Sequence, residues 1–389
     1  MTILIYLFPA FMDVLVAQVI FVNGVRLAQR HCPDWVIAGI WTGWCLPYLG
    51  ATLLSGKILT EHNASRILWA TCALATITCG LFPFVESVVG IYVLTGICAF
   101  SAGLFFPAFQ SFMKSVDGRS RKSVAWSTGA YTFAWSAGFA MGPLLAGFMM
   151  EAGPGGWRYS YALSGLLSLA TGIGVWKLRH HGKPDLPRPD HPDGEDRPAA
   201  PAGAPDLAWL GWVSALGALS VAAILRSLFP ALAEKELAMP ESRQGLILFV
   251  FSMTQALTGL SLCRSRTWMY RPGAVFLFGL VGVAGTLGFA FARTLFLLSL
   301  AATACGVYTG SFYFYFVYHA LVHKTRSAKY VSLNESVVGI SGIFAPLAAG
   351  ILSTAAGSYT QAYSYSAILL AGTVLFQMVI HKRNPIRPT

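Results

Sequence analysis

Residues 138–147 read GFAMGPLLAG, and residues 341–350 read SGIFAPLAAG. Laid over one another at an offset of 203, Gly138, Gly142, Pro143 and Gly147 meet Ser341, Ala345, Pro346 and Gly350. The same offset pairs Gly56 with Gly259 and Gly103 with Gly306. Several anchors at one spacing, each at the same place in its half, argue for an internal duplication rather than for chance among scattered glycines. Small residues four apart let two helices approach closely, and a proline among them bends the helix and frees a backbone carbonyl.

The sequence around both stretches is apolar. Hydrophobic residues make up 55% of the 389 and charged residues only 11%, with a mean hydropathy of +0.60. A soluble chain carries roughly a quarter charged residues, so water is not this protein's only solvent. About 20 apolar helical residues cross a bilayer core. Stretches without Asp, Glu, Lys or Arg run over 35–56, 67–85, 87–113, 123–150, 159–176 and 207–225. Others cover 244–263, 272–292, 294–323 and 336–381, the last being long enough for two crossings with a turn at 356–359. An opening segment over 3–24, interrupted by Asp13, brings the count to twelve. No alternation of the membrane-barrel kind is present. The predicted class is an all-α integral membrane protein, twelve transmembrane helices in two pseudo-symmetric six-helix bundles.

Net charge is +11, and its placement points to a membrane rather than to nucleic acid. With the N-terminus in the cytoplasm, 20 of the 27 Lys and Arg fall inside, 6 outside, and Arg226 within a span. That is the positive-inside bias, and it places both termini in the cytoplasm. The opening segment lacks the basic start of a secretory signal and is read as a span. Residues 181–206, with seven prolines and four acidic residues in 190–196, form a predicted disordered cytoplasmic linker. It divides the chain into an N-terminal bundle, 1–180, and a C-terminal bundle, 207–389. The seven cysteines show no metal-ligand spacing and read as small apolar groups.

The 138–147 stretch resembles motif C of the major facilitator superfamily, and Trp157-Arg158 fits that family's usual start of a sixth span. The loop from Gly56 through Asn63 to Arg66 is similar to the family's motif A, with Thr60 where the family has an acid and Asn63 where it has a second glycine. Asn tolerates left-handed backbone well enough to keep the turn. The motif B arginine, expected near Tyr92, is absent. The resemblance covers essentially the whole chain. It implies a secondary transporter whose first span lines a central cavity. Motif C implies an antiporter that exports its solute, while the missing motif A acid and motif B arginine bear on gating and proton coupling.

Asp13 lies about 15 Å into the first span, where an ionised carboxylate is costly. It is either a proton carrier or ligand facing a hydrated cavity, or a carboxylate satisfied by neighbouring hydroxyls and backbone. Arg226 either contacts substrate or snorkels to the outer interface. Tyr308, Ser311, Tyr315 and His319 share one face of span ten and suit stacking and hydrogen bonding to a solute; interhelical packing is the alternative, with His319 near the inner headgroups. Asn334 and Glu335 lie one to two turns inside span eleven, Glu335 either in an inner gate with Lys122 or Arg121 or snorkelling. Gln18, Asn23 and Gln255 are substrate candidates that could equally bond across helices, as could Gln110. Tyr131 and Trp135, with Trp41, Trp44 and Tyr48, are cavity wall or bundle core.

No phosphate loop, dinucleotide fingerprint or catalytic cluster is present, so neither an enzyme nor an ATP-driven pump is expected. No cofactor or metal is expected. The partners are the lipid bilayer, a small-molecule substrate and protons, and the chain is expected to act as a monomer. Its predicted location is the plasma membrane, the inner membrane if bacterial. These features together predict a proton-coupled exporter working by alternating access, with Asp13 and Glu335 as coupling groups. Rival readings are an uptake symporter or uniporter for a sugar-like or organic-acid solute, and a sensor or scaffold that kept the fold without transport.

Overall fold

A computed structural model describes residues 4–60, 62–119, 124–179, 207–262, 267–321 and 327–383. The described residues form twelve long helices. In the first half these are α1 (Leu7–Gln29), α2 (Asp34–Ile58), α3 (Ala64–Leu81), α4 (Val88–Arg119), α5 (Val124–Glu151) and α6 (Trp157–Leu178). The second half holds α7 (Ala208–Lys235), α8 (Glu241–Leu262), α9 (Pro272–Phe291), α10 (Leu295–Leu321), α11 (Ser327–Ala356) and α12 (Tyr359–Arg383). All twelve are long and apolar enough to cross a membrane, and no strand occurs among the described residues. The long 336–381 stretch does break in two, at Gly357, whose φ of +61° a glycine adopts without a Cβ clash. The expected linker, 181–206, lies outside the described residues.

The chain forms two compact units. Unit 1 comprises 1–32, 40–191 and 233–249, and unit 2 comprises 33–39, 192–232 and 250–389. In unit 1, α1 packs on α5 and α6, and α3 on α4 and α6. In unit 2, α9 packs on α10 and α12, and α11 on the same two. Exposed stripes on α6 (Leu166, Leu169, Ile173) and α12 (Tyr365, Ile368, Leu369) recur at helical spacing, the pattern of a face turned to lipid. The first helix runs to Gln29, five residues beyond the expected 3–24 span, and is buried on nearly every side.

Glycines make the close contacts. A β-carbon on Gly103 of α4 would lie 2.5 Å from the Tyr48 carbonyl oxygen of α2 and 2.8 Å from the Ala51 Cβ. One on Gly306 of α10 would lie 2.6 Å from the Phe251 carbonyl oxygen and 2.8 Å from the Thr254 Cβ of α8. Tyr48 and Phe251, and Ala51 and Thr254, are themselves 203 residues apart, so the duplication extends from the sequence to the contacts. Gly56 is different, because nothing lies within 4 Å of the position its β-carbon would take.

Gly103→Val and Gly306→Val are each expected to destabilise the purified protein by about 1–3 kcal/mol through overpacking. Gly56→Ala should leave the thermal midpoint unchanged or raise it. Thermal unfolding in detergent, followed by intrinsic fluorescence, checks all three.

Candidate functional site

Asp13 is 5% exposed in the interior of α1. Two close approaches to α5 bracket it. Gly138 lies against the Ala10 carbonyl, and a β-carbon on Gly142 would lie 2.6 Å from the Ala17 Cβ and 2.8 Å from the Val14 carbonyl oxygen. The motif-like stretch of α5 is therefore the surface on which the segment around Asp13 rests. Around the helix axis Asp13 stands about 140° from Gln18 and Arg26 and about 80° from Asn23, the residues that bond to α6. Among the described acidic side chains, Asp34, Glu86, Glu151, Glu234, Glu236 and Glu241 all sit at helix ends or in turns, and only Asp13 lies deep within a helix.

Three other polar groups of α1 are committed to the interior of unit 1. Gln18 Oε1 accepts the Ser164 hydroxyl of α6 at 2.6 Å. Asn23 donates to Thr95 of α4 at 3.0 Å and accepts the Tyr161 hydroxyl of α6. Arg26, 3% exposed, donates to the Tyr161 hydroxyl at 3.1 Å and to the Val85 carbonyl at 2.8 Å. Its guanidinium also lies 4.0 Å from the centre of the Trp157 ring. Gln18 and Asn23 are thus placed as interhelix ties. By the expected topology Arg26 is one of the six outer charges; the structure instead buries it in this cage. The available signal was Asn23 and Arg26 at i, i+3 facing Trp157 and Tyr161 at i, i+4.

On α5, Tyr131 and Trp135 are half-buried and continue the stripe of Gly138 and Gly142 by helical spacing. Gln110 of α4 donates to the Tyr131 hydroxyl at 3.3 Å, and the Tyr131 ring stacks on Phe109 with centroids 5.8 Å apart. Trp41 meets Phe139 edge-on at 6.2 Å.

In unit 2, Arg226 of α7 donates to Gln255 Oε1 of α8 at 3.1 Å, with its guanidinium 5.0 Å from the centre of the Phe251 ring. Thr309 of α10 donates to the same oxygen at 3.4 Å. Arg226 and Gln255 are therefore brought together, tying α7 to α8. The aromatic stripe of α10 is placed elsewhere. Tyr308 fits over Gly282 of α9 and beside Gly217 of α7, and Tyr315 lies 6.1 Å from Trp268 and 4.5 Å from His319. Both tyrosines are buried, and Ser311 donates back to the Val307 carbonyl of its own helix at 2.7 Å. The glycines of α7 and α9 supply the room that draws this face into the bundle. A small pocket in unit 2, about 10 Å³ and lined by Thr286, Cys305, Tyr363 and Ser366 among others, has room for about one water molecule.

Asn334 and Glu335 fall in α11, but their side chains lie outside the described ones, as do Arg121 and Lys122. The loop after α2 keeps its turn by a route other than left-handed backbone. Asn63 has φ −102°. It accepts the Thr60 N–H on Oδ1 at 2.8 Å while its own N–H donates to the Thr60 hydroxyl at 3.3 Å, the reciprocal pattern of a capping box. Thr60 and Asn63 thus satisfy each other without charge. Among the described residues, no three His, Cys, Asp or Glu cluster as metal ligands.

A sequence profile of the Major Facilitator Superfamily matches residues 34–225. No curated protein matches the sequence. The fold is similar to that of a bacterial homologue of the human lysosomal transporter Spinster, solved inward-facing and unoccupied, at a TM-score of 0.70 and 15% identity, covering 100% of this chain and 98% of that one. It is also similar to the nucleoside transporter NupG, at a TM-score of 0.70 and 12% identity, covering 98% of each chain. Likeness at such identities is likeness of fold.

Tyr161→Phe removes the acceptor for Arg26 and the donor to Asn23 together, leaving buried polar groups unmatched. A loss of about 1–3 kcal/mol is expected. It would be read as a lowered thermal midpoint, with Phe82→Leu as a control that disturbs the stacking on Tyr161 but not the hydrogen bonds.

Proposed function

We propose that this chain is a membrane transporter of the major facilitator superfamily and that it exports a small organic solute by alternating access in exchange for protons; the match over 34–225 and the shared fold support the reading. The moving bodies in this reading are the halves 1–180 and 207–389, connected by 181–206, with both termini in the cytoplasm and the chain in a plasma membrane.

One observation carries the coupling assignment: a carboxylate, Asp13, buried within an apolar helix at the point where Gly138 and Gly142 press α5 against α1. A buried charge in a span is expensive, and such groups recur where protons or ions pass. Protonation of Asp13 removes that charge, so its two states favour different surroundings, as a coupling group requires. Arg226 and Gln255 supply donors and an acceptor for a polar or anionic part of the solute, and Tyr131 and Trp135 supply rings. The direction, export, rests on the resemblance of 138–147 to motif C. The uncharged Thr60–Asn63 lock favours a second reading, uniport without protons, because the loop after α2 then lacks the acid that the family uses in gating.

Proteoliposomes carrying an internal pH dye decide between the two. A panel of nucleosides, sugars, amino acids and organic acids is added and both solute and proton fluxes are recorded. Asp13→Asn is expected to abolish solute-driven proton flux and uphill transport by at least about a hundredfold, while equilibrium exchange persists; the scale is that of losing a positioned proton-transfer group. Uphill transport by Asp13→Asn at the unaltered rate would remove Asp13 from the coupling role. Solute exchange with no proton flux in the unaltered chain would favour uniport.

A further inference from the structure

The two compact units do not follow the duplication. The first turn of α2, within 33–39, belongs to unit 2, and the end of α7 with the start of α8, 233–249, belongs to unit 1. Each seam has a glycine at its centre. Gly147 of α5 receives Glu241 and Ser242 of α8, and Gly245 of α8 receives the Pro143 carbonyl of α5. Gly350 of α11 receives α2, where its β-carbon would lie 2.8 Å from the Ala38 Cβ and 2.9 Å from the Asp34 carbonyl oxygen. Glu241 and Ala38 differ by 203, the offset of the repeat.

Helix caps accompany the seams. The first N–H groups of a helix have no partner within it. In α8 the N–H of Ser242, its second residue, donates to Glu151 Oε1, the last side chain of α5, at 2.9 Å. In α2 the N–H of Trp35, its second residue, donates to the Thr354 hydroxyl near the end of α11 at 3.3 Å. Glu151 and Thr354 are again 203 apart. Each motif-bearing helix therefore ends by capping the start of a helix from the opposite half of the sequence. Glu151 adds a negative charge at the positive end of the α8 dipole. At the α2 seam the charge comes from α2 itself. Asp34, 9% exposed, accepts the Ser353 hydroxyl at 2.7 Å and the Tyr359 hydroxyl at 2.6 Å.

We propose that Glu151 and Thr354, the latter assisted by Asp34 with Ser353 and Tyr359, are positioning residues of a paired latch. The latch holds the heads of α8 and α2 on α5 and α11, and its release is the step that opens the transport route at the end where α1 gives way to α2. The proposal rests on the alternating-access reading. Gly147 and Gly350 let the helices touch, and the trans caps make that contact directional and breakable, since water can cap either freed helix start.

The test reads accessibility, with no solute present. The reporter is Ala38→Cys in a Cys32→Ser background, purified into nanodiscs and labelled with a hydrophilic maleimide. Glu151→Ala and Thr354→Val should each speed labelling of the reporter by about fivefold, the scale of one lost helix cap, and the double variant by more. Glu151→Gln and Thr354→Ser keep an acceptor oxygen and should label close to the parent rate. Labelling of buried Cys305, quantified by peptide mapping, should stay unchanged throughout. An unchanged reporter rate in the double variant overturns the latch. So does a parallel rise at Cys305, which would mark general loosening. Failure to move any solute would instead overturn the transport reading and leave this result standing.

Discussion

In lipid, apolar side chains gain nothing from leaving the surrounding solvent for one another, so helices are held by close packing and by the polar bonds that close packing permits. Everything else in this chain depends on the places where a missing β-carbon lets backbones touch. Gly138 and Gly142 seat α1 on α5, Gly103 and Gly306 seat α4 and α10 on equivalent turns of α2 and α8, and Gly147 and Gly350 seat the heads of α8 and α2. The latter two pairs stand in the same register of 203. One duplicated packing scheme thus recurs in both halves of the sequence, and the polar features are additions that differ between the halves.

Those additions fall into two kinds. Arg26 is a buried cation surrounded by neutral groups: a phenol, a backbone carbonyl and the face of an indole. Such a cage is satisfied by fixed dipoles and ties α1 to α6 and the turn before α4. Asp13, by contrast, sits at the tightest stretch of the α1–α5 contact, between the approaches of Gly138 and Gly142. The first arrangement holds a helix in place. In the proposed mechanism the second is the coupling group, because movement between α1 and α5 would change the surroundings of an ionisable side chain.

The twelve helices were legible because a bilayer crossing demands a long uncharged run, and each such run has its helix. The duplication was legible because it rests on glycines and prolines, whose roles are backbone roles and survive divergence elsewhere. Partner choice by polar side chains was not. Tyr308 and Tyr315 share a face with Ser311 as periodicity required, yet which neighbour that face meets depended on Gly217 and Gly282, far away in the sequence. Gln18 and Asn23 carry the same side-chain chemistry whether they meet a solute or a helix, and their partners Ser164, Thr95 and Tyr161 are visible only in the fold. Arg26 looked like a loop charge only because the end of α1 was set five residues early. The trans caps could not be seen at all, since Glu151 and Thr354 gain meaning from Ser242 and Trp35 across 91 and 319 positions.

The central claim, that Asp13 is the group through which protonation reaches the helix packing, is tested most directly by infrared difference spectroscopy of the reconstituted protein across a pH titration. The account predicts a carboxylic-acid carbonyl band that grows as pH falls, is shifted by a transported solute, and is missing from Asp13→Asn. Identical difference spectra from the parent and Asp13→Asn would contradict it.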